Sequence, residues 1–421
     1  MASEETRVDQ EVSDTRIKVL QLNHYESPGR RFSGLSLSPL LKDRGVDSTH
    51  VVWEKDTQDP SVLALGKPWQ KNVTRIVRGI ERALSVQSVL HLNSLQLTRM
   101  PAYKQADLLH LHIIHSGYLS LWALPEMTHQ KPTVWTLHDP WAMTGHCVYP
   151  FDCERWKIGC GECPNLKTTL PLNKDRTSLL FKYKRHVYAK SKFDIIVASQ
   201  WMLNMVQTSP LFENSRIHHV PFGLNLDFFS PAAAPDARKK LGIPDNALVI
   251  CFRAVNNEFK GLPYAIEALE KIHCNQPVCL LTFQGGDELL KRFSGRFQLV
   301  DLGWSNDEVL MRDAFVAADI FLMPSMAEAF GVMAIEAMAC GKPVISFDGT
   351  SLPEVTFAPD VGVSVPMKDS AALLNALQRL IDYPEERLDR GRKGRLIAEE
   401  HYNEQTQADR LAEIYKAVKS K

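Results

Sequence analysis

Short runs rich in β-branched and aliphatic residues alternate with helical patterns along nearly the whole chain, and this alternation restricts the fold more than any other feature. Parallel strands need a long crossover between neighbours, and a helix supplies it, so βα repetition is the signature of parallel sheets. In the first half the predicted strands are 17–22, 49–53, 107–113, 133–137, 194–198 and 217–220. The pattern breaks over 221–231, a Gly- and Pro-containing stretch that runs into the Ala/Pro-rich 231–235 and reads as a linker. A second series follows at 248–252, 278–283, 298–302, 320–323 and 344–347, and from Ala371 onward the chain reads as helical. Two successive α/β halves predict two Rossmann-like domains facing each other across a cleft, with ligands beyond the carboxyl ends of the strands. At 421 residues the chain is also too long for a single core. The expected division is a polar tail 1–15, a first domain 16–225, a second domain 226–398 and a terminal helical segment 399–421.

Composition excludes several alternatives. Hydrophobic residues make up 44% and charged residues 23%, as in soluble globular proteins. Lys plus Arg and Asp plus Glu balance at 49 each, which argues against a globally basic nucleic-acid binder. The segment 1–15 is polar and acidic with no apolar stretch of the secretory kind, and no run approaches the roughly 18 apolar residues of a membrane span. A cytoplasmic protein is expected, with any membrane contact peripheral and from that side.

The most informative local stretch is Pro324-Ser325-Met326-Ala327-Glu328-Ala329-Phe330-Gly331, followed by a helical pattern to Cys340 that Gly341 and Pro343 end. It reads as a strand end, a tight loop and a helix start. A helix start offers free N–H groups and a positive dipole end, where a diphosphate binds well. Glu328 in the loop can accept hydrogen bonds from sugar hydroxyls. Glu336, beyond the first helical turn, can accept from two ribose hydroxyls. Either carboxylate alone reads equally well as solvated surface; the pair at this spacing is specific.

This segment resembles the signature of retaining glycosyltransferases of the GT-B fold, family four (glycosyl transferases group 1). Arg253 and Lys260, followed by Gly261 just after the first strand of the second domain, agree with it. In that family the basic pair clamps the donor pyrophosphate; a guanidinium fork and an ammonium neutralise the charge that grows as the nucleotide leaves. Pro221-Phe222-Gly223-Leu224-Asn225 is similar to the family's inter-domain element, and Gly285-Gly286-Asp287 to its C-domain turn. Gly29 and Gly34 follow the first strand, where members bring backbone close to donor phosphate; the family's glycines there usually sit closer together. The resemblance implies a nucleoside-diphosphate-sugar donor bound by Arg253, Lys260, Glu328, Phe330, Gly331 and Glu336. It also implies a hexose-type transfer with retention, no catalytic metal, and a glycan or lipid-linked acceptor in polysaccharide or lipid-linked oligosaccharide assembly. The terminal helix is expected to cross back onto the first domain, as in similar enzymes.

Thr136-Leu137-His138-Asp139 closes a predicted strand and points into the cleft. The matching family histidine reaches the transferred sugar, which makes His138 the first-domain catalytic candidate, with Asp139 orienting it or binding a hydroxyl. His110 and His112 share a sheet face by their period-2 spacing, and His112 and His115 are expected to line the acceptor side.

Two features stand apart from the donor site. Cys147, Cys153, Cys160 and Cys163 cluster, ending in a Cys-Gly-Glu-Cys knuckle, so a closed structural zinc site is the first reading, unliganded thiols the next and a redox or disulfide role the last. A non-catalytic zinc-stabilised protein that recognises a partner or nucleic acid is the alternative function, although it leaves the basic pair and both glutamates unexplained. Lys71, Arg75, Arg78 and Arg82 recur at helical spacing beside Val73, Ile76, Val77 and Ile80, and Lys182, Lys184, Arg185, Lys190 and Lys192 add a second basic stretch. A basic amphipathic helix of this kind either rests on anionic lipid or packs its apolar face on the core.

Overall fold

A computed structural model of the chain describes residues 16–26, 34–168, 170–284, 292–305 and 307–420. Seven strands, β1 (Ile17–Tyr25), β2 (Val46–Glu54), β3 (Val62–Ala64), β4 (Leu108–Leu111), β5 (Thr133–Thr136), β6 (Asp194–Val197) and β7 (Ile217–His219), form one sheet in the order β3-β2-β1-β4-β5-β6-β7. Six more, β8 (Leu248–Arg253), β9 (Val278–Phe283), β10 (Gln298–Asp301), β11 (Ile320–Met323), β12 (Val344–Phe347) and β13 (Val363–Val365), form a second in the order β10-β9-β8-β11-β12-β13. Neighbouring strands pair in parallel in both, as in β1 with β4 and β8 with β11. The order reverses between β1 and β4 and between β8 and β11, and crevices open there beyond the strand ends.

Helices cover both faces, so β4, β5, β6, β11 and β12 are buried at every position and read as continuous apolar runs. The three-residue edge strands β3 and β13 were not anticipated, whereas the equally short β7 was. β1 extends past Leu22 because Asn23 and His24 are buried as well.

The chain ties its halves together at one crossing. Leu224 N–H donates to Tyr402 O at 2.8 Å, and Glu404 N–H donates to Leu224 O at 3.1 Å. A Cβ on Gly223 would stand 2.5 Å from the Glu404 backbone nitrogen, so this approach requires glycine. The helix Pro384–His401 packs on the second domain, with the Arg395 guanidinium donating to Ala339 O at 2.9 Å. After the break at Tyr402–Asn403 the helix Glu404–Lys419 returns to the first domain. There Leu411, Ile414, Tyr415 and Val418 pack with Ile17, Val19, Leu108 and Val134.

The helix Pro68–Leu84 is inverted relative to a core-packed helix. Thr74 and Glu81 are buried, whereas Trp69, Val73, Ile76, Ile80 and Leu84 are exposed, Trp69 by 61% and Ile76 by 64%. The buried Glu81 carboxylate is satisfied by the backbone N–H groups of Ser88, Val89 and Leu90 and by His91 at 3.2 Å. The second basic stretch loses one member: Lys184 lies on the inward face of the helix Thr177–Ala189 and donates to Trp141 O and Thr144 O at 2.6 and 2.9 Å. Among the described residues no helix is long and apolar enough to cross a membrane.

Candidate active site

A cavity of about 330 Å3 opens between the two domains. His138, Asp139 and Phe222 line it from the first domain; Arg253, Lys260, Glu328 and the 330–333 helix start line it from the second. Each second-domain residue is placed by a strand end. Arg253 closes β8, and its guanidinium lies 5.6 Å from the Trp304 ring centroid. Burial lowers its pKa, while Glu328 pulls it back up.

The loop after β8 and the loop after β11 are locked together. Met326 N–H donates to Phe259 O at 2.8 Å. Gly261 has φ +64°, and a Cβ there would come within 2.0 Å of Pro324 O, so the lysine loop presses against the end of β11 only because residue 261 lacks a side chain. The Lys260 ammonium pairs with the Glu328 carboxylate. Glu328 O in turn accepts from Ser351 N–H at 3.3 Å and Ser351 Oγ at 3.1 Å.

Gly331, with φ +95°, opens the helix Val332–Ala339. Val332 and Met333, the first two residues of that helix, line the cavity, where a helix start is suited to an anion. Phe330 lines the cavity too, and its ring stands T-shaped against Phe222 at 5.0 Å, bridging the domains. Glu336 does not reach the cavity wall: its side chain is 0% exposed on the inner face of the helix. Gly34, with φ +81°, touches Gln21 rather than the cavity. Gly29 and Gly285-Gly286-Asp287 lie outside the described residues.

On the opposite wall, buried imidazoles form a chain. Gln21 Oε1 meets His112 Nε2 at 2.8 Å, and His112 Nδ1 meets His138 Nε2 at 3.0 Å. The Gln21 amide nitrogen donates to Ser48 Oγ at 3.2 Å, so its oxygen is the acceptor. His112 then carries its proton on Nε2, and His138 donates from Nε2. Burial pushes His138 down to about 4, against the pull of Asp139, and burial holds His112 well below the ordinary histidine value. Both are neutral near pH 7. His138 also stacks on Phe222, with centroids 5.7 Å apart.

His110 and His112 do share a face, their rings 4.1 Å apart, but His110 bonds Tyr415 and Thr136 and faces away from the cleft cavity. His115 Nε2 meets Asp139 Oδ2 at 2.8 Å, and Trp141 N–H donates to Asp139 Oδ1 at 2.8 Å. His115 opens on a second cavity of about 450 Å3 with Tyr25, Arg78, Gln87 and Trp141, so the His115–Asp139 bond joins the two spaces. Sequence reasoning missed Gln21, for which the available signal was a polar residue inside an apolar strand. It also missed Trp304, which carried no signal.

The four cysteines surround one small cavity of about 10 Å3 together with His146. Among the described residues no group of three or more His, Cys, Asp or Glu is drawn together at metal-binding geometry.

Comparison with known proteins agrees with this fold. Residues 35–228 match the family described as Glycosyltransferase Family 4, and residues 234–397 match Glycosyl transferases group 1. The chain is 26% identical over 264 residues to the putative colanic acid biosynthesis glycosyl transferase WcaC of Escherichia coli K12, covering 59% of this chain and 61% of that protein. It is 30% identical over 228 residues to a GDP-mannose-dependent monoacylated alpha-(1-6)-phosphatidylinositol monomannoside mannosyltransferase of Corynebacterium glutamicum, covering 49% and 56%. The chain thus spans little more than half the length of these relatives. Among solved structures, sucrose-phosphate synthase from Thermosynechococcus elongatus superposes with a TM-score of 0.70 at 19% identity, over 96% of this chain and 100% of that one. Anabaena Alr3699/HepE in complex with UDP-glucose does so with a TM-score of 0.62 at 16% identity, over 96% and 100%. With the two matches in tandem and a sheet-pair architecture shared over nearly its whole length, the chain belongs to the GT-B glycosyltransferases of family four, the glycosyl transferases group 1.

Proposed function

We propose that the protein is a retaining glycosyltransferase that moves a hexose-type sugar from a nucleoside diphosphate to an acceptor hydroxyl in polysaccharide or lipid-linked glycan assembly. The observation that carries this reading is the convergence of Arg253, Lys260, Glu328 and a helix start on one cavity, with His138 facing them. The diphosphate sits against the helix start and takes Lys260 from Glu328, which releases the carboxylate for sugar hydroxyls. Glu336 holds the ribose once a small helix adjustment opens it to the cavity. The C1–O bond to phosphate breaks as the acceptor oxygen bonds C1 on the same face, and the acceptor proton passes to the leaving phosphate oxygen. His138 reaches the transferred sugar. Two fixed cations already face the leaving group, so the step needs no catalytic metal. Relatives named for colanic acid and phosphatidylinositol mannoside synthesis support a glycan or lipid-linked acceptor. A UDP-glucose complex among the structural neighbours supports a nucleotide-sugar donor.

The acceptor enters past His115 and Asp139. The exposed apolar stripe of Pro68–Leu84, flanked by Lys71, Arg75 and Arg82, favours a lipid surface beside that entrance, on the cytoplasmic side of a membrane.

Lys260→Ala and Glu328→Ala should each lower transfer by about 10²-fold or more while circular dichroism stays native, since each removes a charged group from the reacting centre. Near-normal turnover in either variant overturns the assignment. If no UDP- or GDP-sugar raises the thermal midpoint of the wild-type protein, a non-catalytic binding role replaces it.

A further inference from the structure

The loop that follows Asp139 is held by side chains that a protein of this fold does not need for donor binding. Cys147, Cys153, Cys160 and Cys163 come from a segment without regular strand or α-helix, yet all four line the same small cavity. His146 lines it too; it is 1% exposed, its Nε2 lies 3.9 Å from Cys163 Sγ, and its Nδ1 has no hydrogen-bond partner among the described residues. Its imidazole thus closes one side of the cavity that the four thiols share.

The backbone around the cysteines is shaped for sulfur coordination. Gly159, Cys160, Gly161 and Glu162 all have positive φ, a tight knuckle that costs energy at the two non-glycine positions. Gly145 N–H donates to Cys160 Sγ at 3.2 Å, the kind of N–H···S bond that stabilises a metal thiolate. The thiols are not drawn together at coordination distance. Neutral thiols have no force to converge them, whereas a shared cation draws thiolates that already line one cavity together.

The electrostatics complete the case. Four thiolates around a divalent cation carry a net charge of −2, which in a closed site needs a counter-charge. Lys184 is buried beside the loop, bonded among the described residues to the carbonyls of Trp141 and Thr144, with its ammonium 3.5 Å from the Trp141 ring centroid. Burial pushes Lys184 down to about 7, and the neighbouring Cys160 and Cys147 pull it back up. A buried lysine with carbonyl partners is expensive alone and well placed next to a dianionic centre.

We propose that Cys147, Cys153, Cys160 and Cys163 bind one zinc ion as a closed tetrahedral site, and that the ion pins their loop against the second domain. Binding releases the four thiol protons, with no change of oxidation state, and a saturated site leaves no open position for chemistry. The pinned loop carries several of the contacts that cross the cleft. Phe151 stacks on Phe259, the neighbour of Lys260, at 5.6 Å and 5°; Tyr149 OH donates to Gly349 O at 3.4 Å; and Lys368 lies 3.8 Å from Asp152. The ion therefore acts on donor-loop placement from a distance.

The test begins with the wild-type protein purified under reducing conditions and washed with a mild chelator. Mass-spectrometric metal analysis should find about one zinc per chain, released by a mercurial thiol reagent and read with a zinc-binding dye. Only trace metal, together with four thiols that react in the native protein or a disulfide found by mass, overturns the site. Cys160→Ser/Cys163→Ser should lose the zinc; Phe151→Ala should keep it, which separates the site from the contact it supports. For pinning, stripping zinc with a strong chelator should speed tryptic cleavage after Arg155 and Lys157 by about tenfold or more. Unchanged cleavage after stripping overturns the pinning. None of these readings depends on donor turnover, so they stand or fall apart from the proposed transferase activity.

Discussion

Gly261 shows how one residue positions two loops. Its φ of +64° and the 2.0 Å separation between a built Cβ and Pro324 O leave no room for any side chain. Gly261→Ala must therefore strain the backbone or move Lys260 away from Glu328. A stability loss of more than about 1–3 kcal/mol, with a sharper loss of donor affinity, is expected from urea unfolding and nucleotide titration. An alanine variant with wild-type stability and affinity would show that the two loops are not coupled there. The buried histidines set a second prediction. Burial pushes His110 down to about 3 and His138 and His146 to about 4, whereas unfolded histidine titrates near 6.5. Between these values the unfolded chain takes up protons that the folded chain refuses, so acid favours unfolding. Stability should be flat above about pH 6.5 and fall below it, each such histidine adding about 1.4 kcal/mol per pH unit. A pH-independent unfolding free energy between 7 and 5 would contradict neutral buried imidazoles.

At the scale of elements, the helix Pro68–Leu84 has the pattern of an amphipathic helix and the opposite placement. Glu81 faces inward because the N–H groups of 88–90 need an acceptor, and that anchor turns Ile76 and Ile80 to the outside. Leu92 and Leu95 extend the exposed apolar surface. If this face meets lipid, the protein should co-sediment with vesicles containing anionic phospholipid, less so at high salt. Ile76→Glu/Ile80→Glu should lower the partition by about tenfold or more, since each buried aliphatic side chain contributes about 1.5–3 kcal/mol. Equal sedimentation of the variant and the wild type would remove the lipid role.

At the scale of the molecule, the crossing at Leu224 and Tyr402 makes the two domains share a terminus, and Tyr415 anchors the returning helix to His110 inside the first sheet. Tyr415→Phe removes that bond and leaves a buried nitrogen unsatisfied. A loss of about 1–3 kcal/mol in the unfolding of the first domain is expected, checked by urea titration. No change would mean that packing alone holds the helix.

Parallel sheets were legible from residue order because central strands buried on both faces read as apolar runs, as β4, β5, β6, β11 and β12 do; β3 and β13, at the sheet edges, were not read. The second-domain lining of the cavity could be anticipated for a local reason: Arg253 ends β8, and Lys260, Glu328 and Gly331 follow strand ends within one domain. What only the tertiary structure decided is where polar side chains point, because their partners come from remote segments. Gln21 reaches His112 across 91 positions, and His110 reaches Tyr415 across 305. Glu336 and Lys184 sit inside, and Ile76 outside, for reasons that no periodicity contains. Hydrophobic pattern is a property of neighbours in sequence; satisfaction of a buried polar group is a property of neighbours in space.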